Sequence, residues 1–372
     1  RPPRSTLFPY TTLFRSASMP YTHGGDIYGD AAVELDFSVN TNRLGMPQAV
    51  RDAVIASTAA WEQYPDALCR KLRRAAAAFY EADGTPIPKD WLVFGNGASD
   101  IIYRLCFAVK PKKAVLAAPC FSEYEKAVRA SGGEISFYDT SEENNFCIQS
   151  DFVSFVEKEK PDIVFICSPS NPVGVMTEET ILEKIAELAE KDGFIFVVDE
   201  CFGEFVIDEK HSMLETAMKN KNVIVLDAFT KIYGMAGLRL GMMYSSNDWL
   251  IEKCSECGGC WNVSAPAQLA GATALKCRKY VEKTVEYIHN ERKELVCRLS
   301  ELGFKVYDGY ANYILFRAYD GLYEDMLKKS VLIRQCGNYR MLGNEYYRIA
   351  VRTKAENDRL IEIFKEVIKE KM

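Results

Sequence analysis

From about residue 92 to residue 245 the chain repeats one pattern: a short unbroken apolar run, a polar turn, then a segment of helical period. The runs are WLVFG, KAVLAAP, EISFYD, DIVFICSP, GFIFVVDE, NVIVLDAF and LRLGMMYS. They are rich in Val, Ile and Phe and lack alternation, so the sheet they form is covered on both faces. Intervening segments such as TEETILEKIAELAEKDG carry apolar residues at i, i+3, i+4 and i+7 and close on glycine. This alternation predicts a three-layer α/β/α domain around a mostly parallel sheet of about seven strands.

After residue 265 the texture changes. A long helical stretch, APAQLAGATALKCRKYVEKTVEYIHNERKELVCRLSELG, precedes strand patterns in FKVYDGYANYILFRAY, VLIRQC and YYRIAVR, and KAENDRLIEIFKEVIKE closes the chain. That order predicts a smaller α+β domain over 265–372, joined by an N-terminal arm over 19–55, with the large domain over 56–264. Residues 1–18 contain no acidic residue and precede Met19. A transit peptide has that composition, but the self-similar STLF and TTLF and the lack of an amphipathic period favour a leader foreign to the native chain.

Composition removes several function classes. The net charge of −6, with no basic block, argues against a nucleic-acid surface. No apolar run approaches the ~18 residues a membrane span needs. Twelve cysteines are scattered along the chain, a pattern that fits reduced thiols in the cytoplasm better than a disulfide framework. Cys254, Cys257 and Cys260 form C-x-x-C-x-x-C, but an iron–sulfur run requires a fourth nearby cysteine. The next, Cys277, lies in a helical pattern, so a cysteine-rich loop is expected and no metal.

In a parallel sheet of this kind ligands collect beyond the carboxyl ends of the strands. Those ends carry GNGASD, PCFSEY, SPSNPVG, DECF and Thr230-Lys231. GNGASD exposes backbone N–H groups at a helix start and can seat a phosphate at Gly97, Ala98 and Ser99, or it is an ordinary glycine turn. It is neither a dinucleotide fingerprint nor a P-loop. Asp199 either caps a loop or faces a cationic ring nitrogen. Asn171 either makes a turn before proline or donates to a ring oxygen. Lys231 is either a solvated charge or a Schiff-base amine. Arg239 is either a surface pair or a phosphate clamp.

Taken together, these residues resemble the aspartate-aminotransferase-like (fold type I) pyridoxal-phosphate enzymes, from about residue 20 to the C-terminus. The resemblance is to the branch holding threonine-phosphate decarboxylases and histidinol-phosphate aminotransferases. It implies pyridoxal 5'-phosphate as cofactor, bonded by Lys231, with Arg239, Gly97, Ala98 and Ser99 on its phosphate. Asp199 would pair with the pyridinium nitrogen, Asn171 would contact the phenolic oxygen, and Phe121 would stack on the ring. Tyr64, in YPD, is similar to a tyrosine that reaches the neighbouring subunit's site, which implies a homodimer. Arg348, in YYRIAV, matches the arginine for the substrate carboxylate.

Two positions depart from the transaminase pattern. Ala228 stands where a phosphate-binding serine or threonine is usual, with Thr230 a partial substitute, and Phe202 replaces a tyrosine. HGGDIYG, beginning at His23, resembles the opening of threonine-phosphate decarboxylases; Arg334 matches an arginine for a substrate phosphate, and Arg352 stands where the aminotransferases have glycine. The resemblance therefore implies decarboxylation of L-threonine O-3-phosphate, used in cobalamin synthesis, with amine transfer from a phosphorylated amine as the alternative.

Overall fold

In the computed structural model, residues 24–25, 32–207 and 212–371 are described. The chain enters through a short strand β1 (Leu35–Asp36) and two helices, Gln48–Ala56 and Arg70–Ala82. Seven strands then form the central sheet: β2 (Leu92–Gly95), β3 (Lys113–Ala118), β4 (Glu134–Asp139), β5 (Ile163–Cys167), β6 (Ile195–Asp199), β7 (Val223–Ala228) and β8 (Gly241–Tyr244). Their order is β2-β8-β7-β6-β5-β3-β4. Only β8 runs antiparallel to its neighbours; the other pairs are parallel. Each predicted apolar run thus became one strand.

The reason lies in where alternate side chains go. In β6, Phe196 and Val198 enter one core with the helices Arg70–Ala82 and Glu179–Asp192. Ile195 and Val197 enter a second core with the helices Ala98–Val109 and Ser122–Ala130. Both faces are buried, so the polar alternation of a half-exposed strand has no place in these segments. Full burial of each such side chain contributes about 1.5–3 kcal/mol.

Five further strands follow: β9 (Lys305–Val306), β10 (Tyr313–Arg317), β11 (Val331–Leu332), β12 (Arg334–Gln335) and β13 (Tyr346–Ala350). Strands β12-β13-β10-β9 form an antiparallel sheet, while β11 pairs in parallel with β1. The run VLIRQC is therefore divided between two sheets at Ile333. The long helical stretch is also divided, into Ala265–Ala274 and Arg278–Glu301, with a turn closed by Cys277 N–H on the Ala274 carbonyl. The first piece lies against the helices Gln48–Ala56 and Arg70–Ala82, whereas the second runs beside the closing helix Lys354–Lys371. One straight helix could not serve both contacts. No helix among the described residues is long and apolar enough to cross a membrane.

Candidate active site

The strand order reverses at β3, which has β4 on one side and β5 on the other. The carboxyl ends of the parallel strands open there onto a cavity of about 440 Å³, of the size that small ligands occupy. Of the residues singled out from the sequence, Ala98, Ser99, Phe121, Asn171, Asp199, Thr230, Lys231, Arg239 and Arg348 line it. The central sheet delivers most of these, and Arg348 comes from β13 of the second sheet. The N-terminal segment adds Val39, Asn40 and Thr41.

Lys231 stands at the centre of the charge distribution. β7 ends at Ala228, and the single turn Phe229–Ile232 carries the lysine over the sheet edge. Its Nζ donates to Asn40 Oδ1 at 2.9 Å and lies 5.4 Å from the centre of the Phe202 ring. Burial, reinforced by the positive charges of Arg348 and Arg239, pulls its pKa down to about 8, against the opposing pull of Cys201 and Asp199. Near neutrality this amine gives up its proton far more readily than a surface lysine does, as a nucleophile for a carbonyl must.

Asp199 is only 4% exposed. Its Oδ2 accepts from the Tyr124 hydroxyl at 2.5 Å and its Oδ1 from the Cys201 N–H at 3.1 Å. Among the described residues no cation pairs with it. A buried carboxylate with hydrogen bonds but no counter-charge fits a ligand that brings its own cationic nitrogen.

The opposite end of the cavity is positive. Gly97 has φ +83°, and a Cβ there would run into the Arg239 guanidinium, so only glycine lets the two approach. The helix Ala98–Val109 starts at this point. Arg239, itself in a left-handed conformation (φ 56°), pairs with no carboxylate among the described residues. A guanidinium beside a helix N-terminus is a repulsive arrangement unless an anion lies between them. The donor set thus fits a group with a phosphate at one end and a ring nitrogen at the other.

Arg348 is 5% exposed. It donates through Nη1 to Asn171 Oδ1 at 2.5 Å and through Nη2 to the Ser38 carbonyl at 3.1 Å. Because arginine can only donate, this contact fixes the Asn171 amide with its oxygen engaged and its NH₂ available to donate. Arg334 pairs with Arg348 in register across β12 and β13. It is buried, donates to Asn338 Oδ1 at 2.7 Å, and lies over the Tyr339 ring. Tyr339 in turn lines the cavity, although Arg334 does not.

Other predicted positions lie elsewhere. Arg352 is buried but turned into an ion pair with Glu356 at 2.9 Å, because β13 ends at Ala350 and the chain there caps the final helix. Tyr64 is 78% exposed and stacks on Trp261 at 4.2 Å, away from this chain's own cavity. His23 falls outside the described residues. No group of side chains among the described residues could hold a metal ion; Cys254 is buried, and Cys257 and Cys260 are exposed. All twelve cysteines are free thiols.

Two site residues carried no signal of their own in the sequence. Tyr124 sits at an apolar-face position of the helix Ser122–Ala130 and reads there as core; only its alignment under Asp199 gives it a role. Asn40 lies in an arm without periodicity, 191 residues from the lysine it contacts.

Comparison with known proteins bears on the whole arrangement. The profile of the family described as "Aminotransferase class I and II" matches residues 32–364. A threonine-phosphate decarboxylase of Salmonella typhimurium is 33% identical over 96% of this chain and 98% of its own length. A histidinol-phosphate aminotransferase of Methanococcoides burtonii is 31% identical over 88% of each chain. Among solved structures, the histidinol-phosphate aminotransferase from Clostridium acetobutylicum superposes with a TM-score of 0.83 at 27% identity, covering 90% of this chain and 99% of that one.

Proposed function

This chain belongs to the class I and II aminotransferase family, and from that premise we propose that it decarboxylates L-threonine O-3-phosphate to (R)-1-amino-2-propanol O-2-phosphate with pyridoxal 5'-phosphate. The observation that carries the substrate class is the pairing of Arg334 with Arg348 on adjacent strands, Arg348 lining the cavity and Arg334 lying over Tyr339, which lines it too. Two buried guanidinium groups there suit a substrate with two anionic groups. The relative of similar length from Salmonella typhimurium, a threonine-phosphate decarboxylase, supports the same reading.

In this reading Lys231 is the amine that would hold the cofactor, and Arg239 with the Gly97–Ser99 helix start would hold its phosphate. Asp199 faces the ring nitrogen, oriented by Tyr124 and the Cys201 N–H. Asn171 donates to the ring oxygen, Phe121 covers the ring, and Thr230 supports the phosphate end. When bound, the cofactor acts as an electron sink for a bond broken at the substrate Cα.

Arg348 holds the substrate carboxylate and Arg334 its phosphate, which fixes Cα between them. How these two arginines orient Cα would decide which of its bonds breaks, and a rotation within the same contacts would change it. For decarboxylation the two arginines would hold the Cα–carboxylate bond where the cofactor could take up its electrons, and Lys231 would supply the proton that Cα requires once carbon dioxide has left. With Cα–H held there instead, the same residues would support amine transfer, the activity named for the Clostridium acetobutylicum enzyme.

The exposed apolar residues Ile55, Trp61, Tyr64 and Leu68 fit a second copy of this chain, in which Tyr64 reaches the partner's phosphate end. The test of the reaction is direct. Cofactor-loaded protein is given L-threonine O-3-phosphate without an oxo acid, and carbon dioxide and the amino-alcohol phosphate are measured. Release without an amino acceptor is expected; amine transfer that requires 2-oxoglutarate, with no carbon dioxide, would refute the assignment.

A further inference from the structure

A second cavity, of about 280 Å³, shares no lining residue with the first. One wall is the helix Arg278–Glu301, where His289, Arg292 and Lys293 fall at i, i+3 and i+4 and therefore share one face. The floor is apolar, from the buried Phe205 and Ile288. The rim carries two exposed apolar side chains, Ile207 and Tyr310.

Arg292 is the anomaly. Its Nε and Nη2 are buried and have no hydrogen-bond partner, and burial pulls its pKa below the ordinary value. Asp308 acts on it electrostatically, but among the described residues no carboxylate forms an ion pair with it and no acidic residue lines the cavity. Buried guanidinium N–H groups are ordinarily satisfied. Arg292 and Lys293 bring two positive charges to one wall of the cavity, and an anion between them would relieve their repulsion.

We infer that this cavity binds a small organic anion, with a phosphate or carboxylate head on Arg292 and Lys293 and an apolar or aromatic body against Phe205, Ile288 and Tyr310. The position gives such a ligand leverage on the first cavity. Phe205 closes the turn that begins at Phe202, and Tyr310 N–H donates to the Gly174 carbonyl in the turn that carries Asn171. The inference does not depend on which reaction the first cavity catalyses.

The test uses the cofactor-loaded full chain and phenyl phosphate as probe, followed by isothermal titration and by the rise in Tm. The Arg334→Gln background keeps the probe's phosphate from registering at the first cavity, where Arg334 is the residue assigned to the substrate phosphate. Saturable binding is expected in that background, weakened at least tenfold by Arg292→Gln, with inorganic phosphate binding at least tenfold more weakly than phenyl phosphate. If Arg292→Gln does not fold, Lys293→Glu on the exposed rim must weaken the probe instead. Saturable binding that neither substitution alters, equal affinity for inorganic phosphate, or no binding at tens of millimolar probe would each overturn the inference. The last is the outcome if another part of this chain already satisfies Arg292.

Discussion

Replacing Lys231 by methionine gives an unbranched side chain one atom shorter and removes the charge, so the cofactor-free protein reports what that charge costs the fold. The folded pKa is about 8 against an ordinary 10.5, so the unfolded chain holds the proton more tightly. Below pH 8 the lysine is charged in both states and the folded state carries the whole penalty. Between 8 and 10.5 the folded state has released the proton while the unfolded state still holds it, and the penalty fades. At about 1.4 kcal/mol per unit the full shift is worth about 3 kcal/mol, reduced to about 2 because Lys231 retains some solvent contact in the cavity. Losing the hydrogen bond to Asn40 subtracts about 1 kcal/mol, nearly independent of pH. Urea denaturation of both proteins at pH 7, 9 and 10.5 cancels every other titrating group in the difference. The methionine variant is expected to be the more stable at pH 7 by about 1 kcal/mol, with the gap closing and reversing by pH 10.5. A difference that stays constant across this range would mean that Lys231 titrates like a surface lysine, and the argument for its nucleophilic character would fail.

Three further outcomes are expected. Gly97→Ala puts a Cβ against the Arg239 guanidinium at a left-handed backbone position; equilibrium dialysis should show pyridoxal-phosphate affinity reduced by at least about tenfold. Arg348→Gln should lower kcat/KM by about 30-fold or more, as for loss of a buried charged contact, whereas Arg352→Gln should lower Tm and leave KM within about threefold, since its partner is Glu356. Glu356 is the pH counterpart of Lys231: its carboxyl is partly desolvated, yet contacts with Arg352, Thr353 and Arg43 hold its pKa at about 2 against 4.5. Its stabilisation is present above pH 4.5 and disappears as pH falls towards 2, so Glu356→Gln should destabilise by about 1–3 kcal/mol at pH 7 and by much less near pH 2, read from urea midpoints.

Much of the central domain was legible because its inner strands, β5 and β6 above all, are buried on both faces and admit no polar residue until they end. Asp199 and Lys231 stand out where apolar runs stop, and the topology of a parallel sheet requires those stops to meet at one edge. The second sheet obeys no such rule. VLIRQC contains no glycine or proline to mark Ile333 as the residue where the chain leaves one sheet for another, and the division depends on β1 arriving from the far end of the sequence. Arg348 and Arg352 are alike in composition and spacing. Only the end of β13 at Ala350 separates a side chain facing the cavity from one turned to the final helix. Tyr124 and Asn40 were hidden for the same reason: each acts through a single contact made at long sequence distance.

The pairing of β1 with β11 has a consequence for how the molecule is made. Leu35 and Asp36 align with Val331 and Leu332, about 300 residues further on, and the Ala350 N–H and the Arg348 guanidinium reach back to the carbonyls of Phe37 and Ser38. During synthesis the central sheet can assemble as soon as residue 244 has emerged. At roughly 5–20 residues per second, the segment holding Asn40 then waits several seconds more for the strands that anchor it. Until they arrive Lys231 has no Asn40 to bind and Arg348 does not yet exist. A ribosome that stalls between residues 244 and 348 therefore leaves a folded sheet with an unfinished site, and a nascent chain acquires its chemistry only after β13 has emerged.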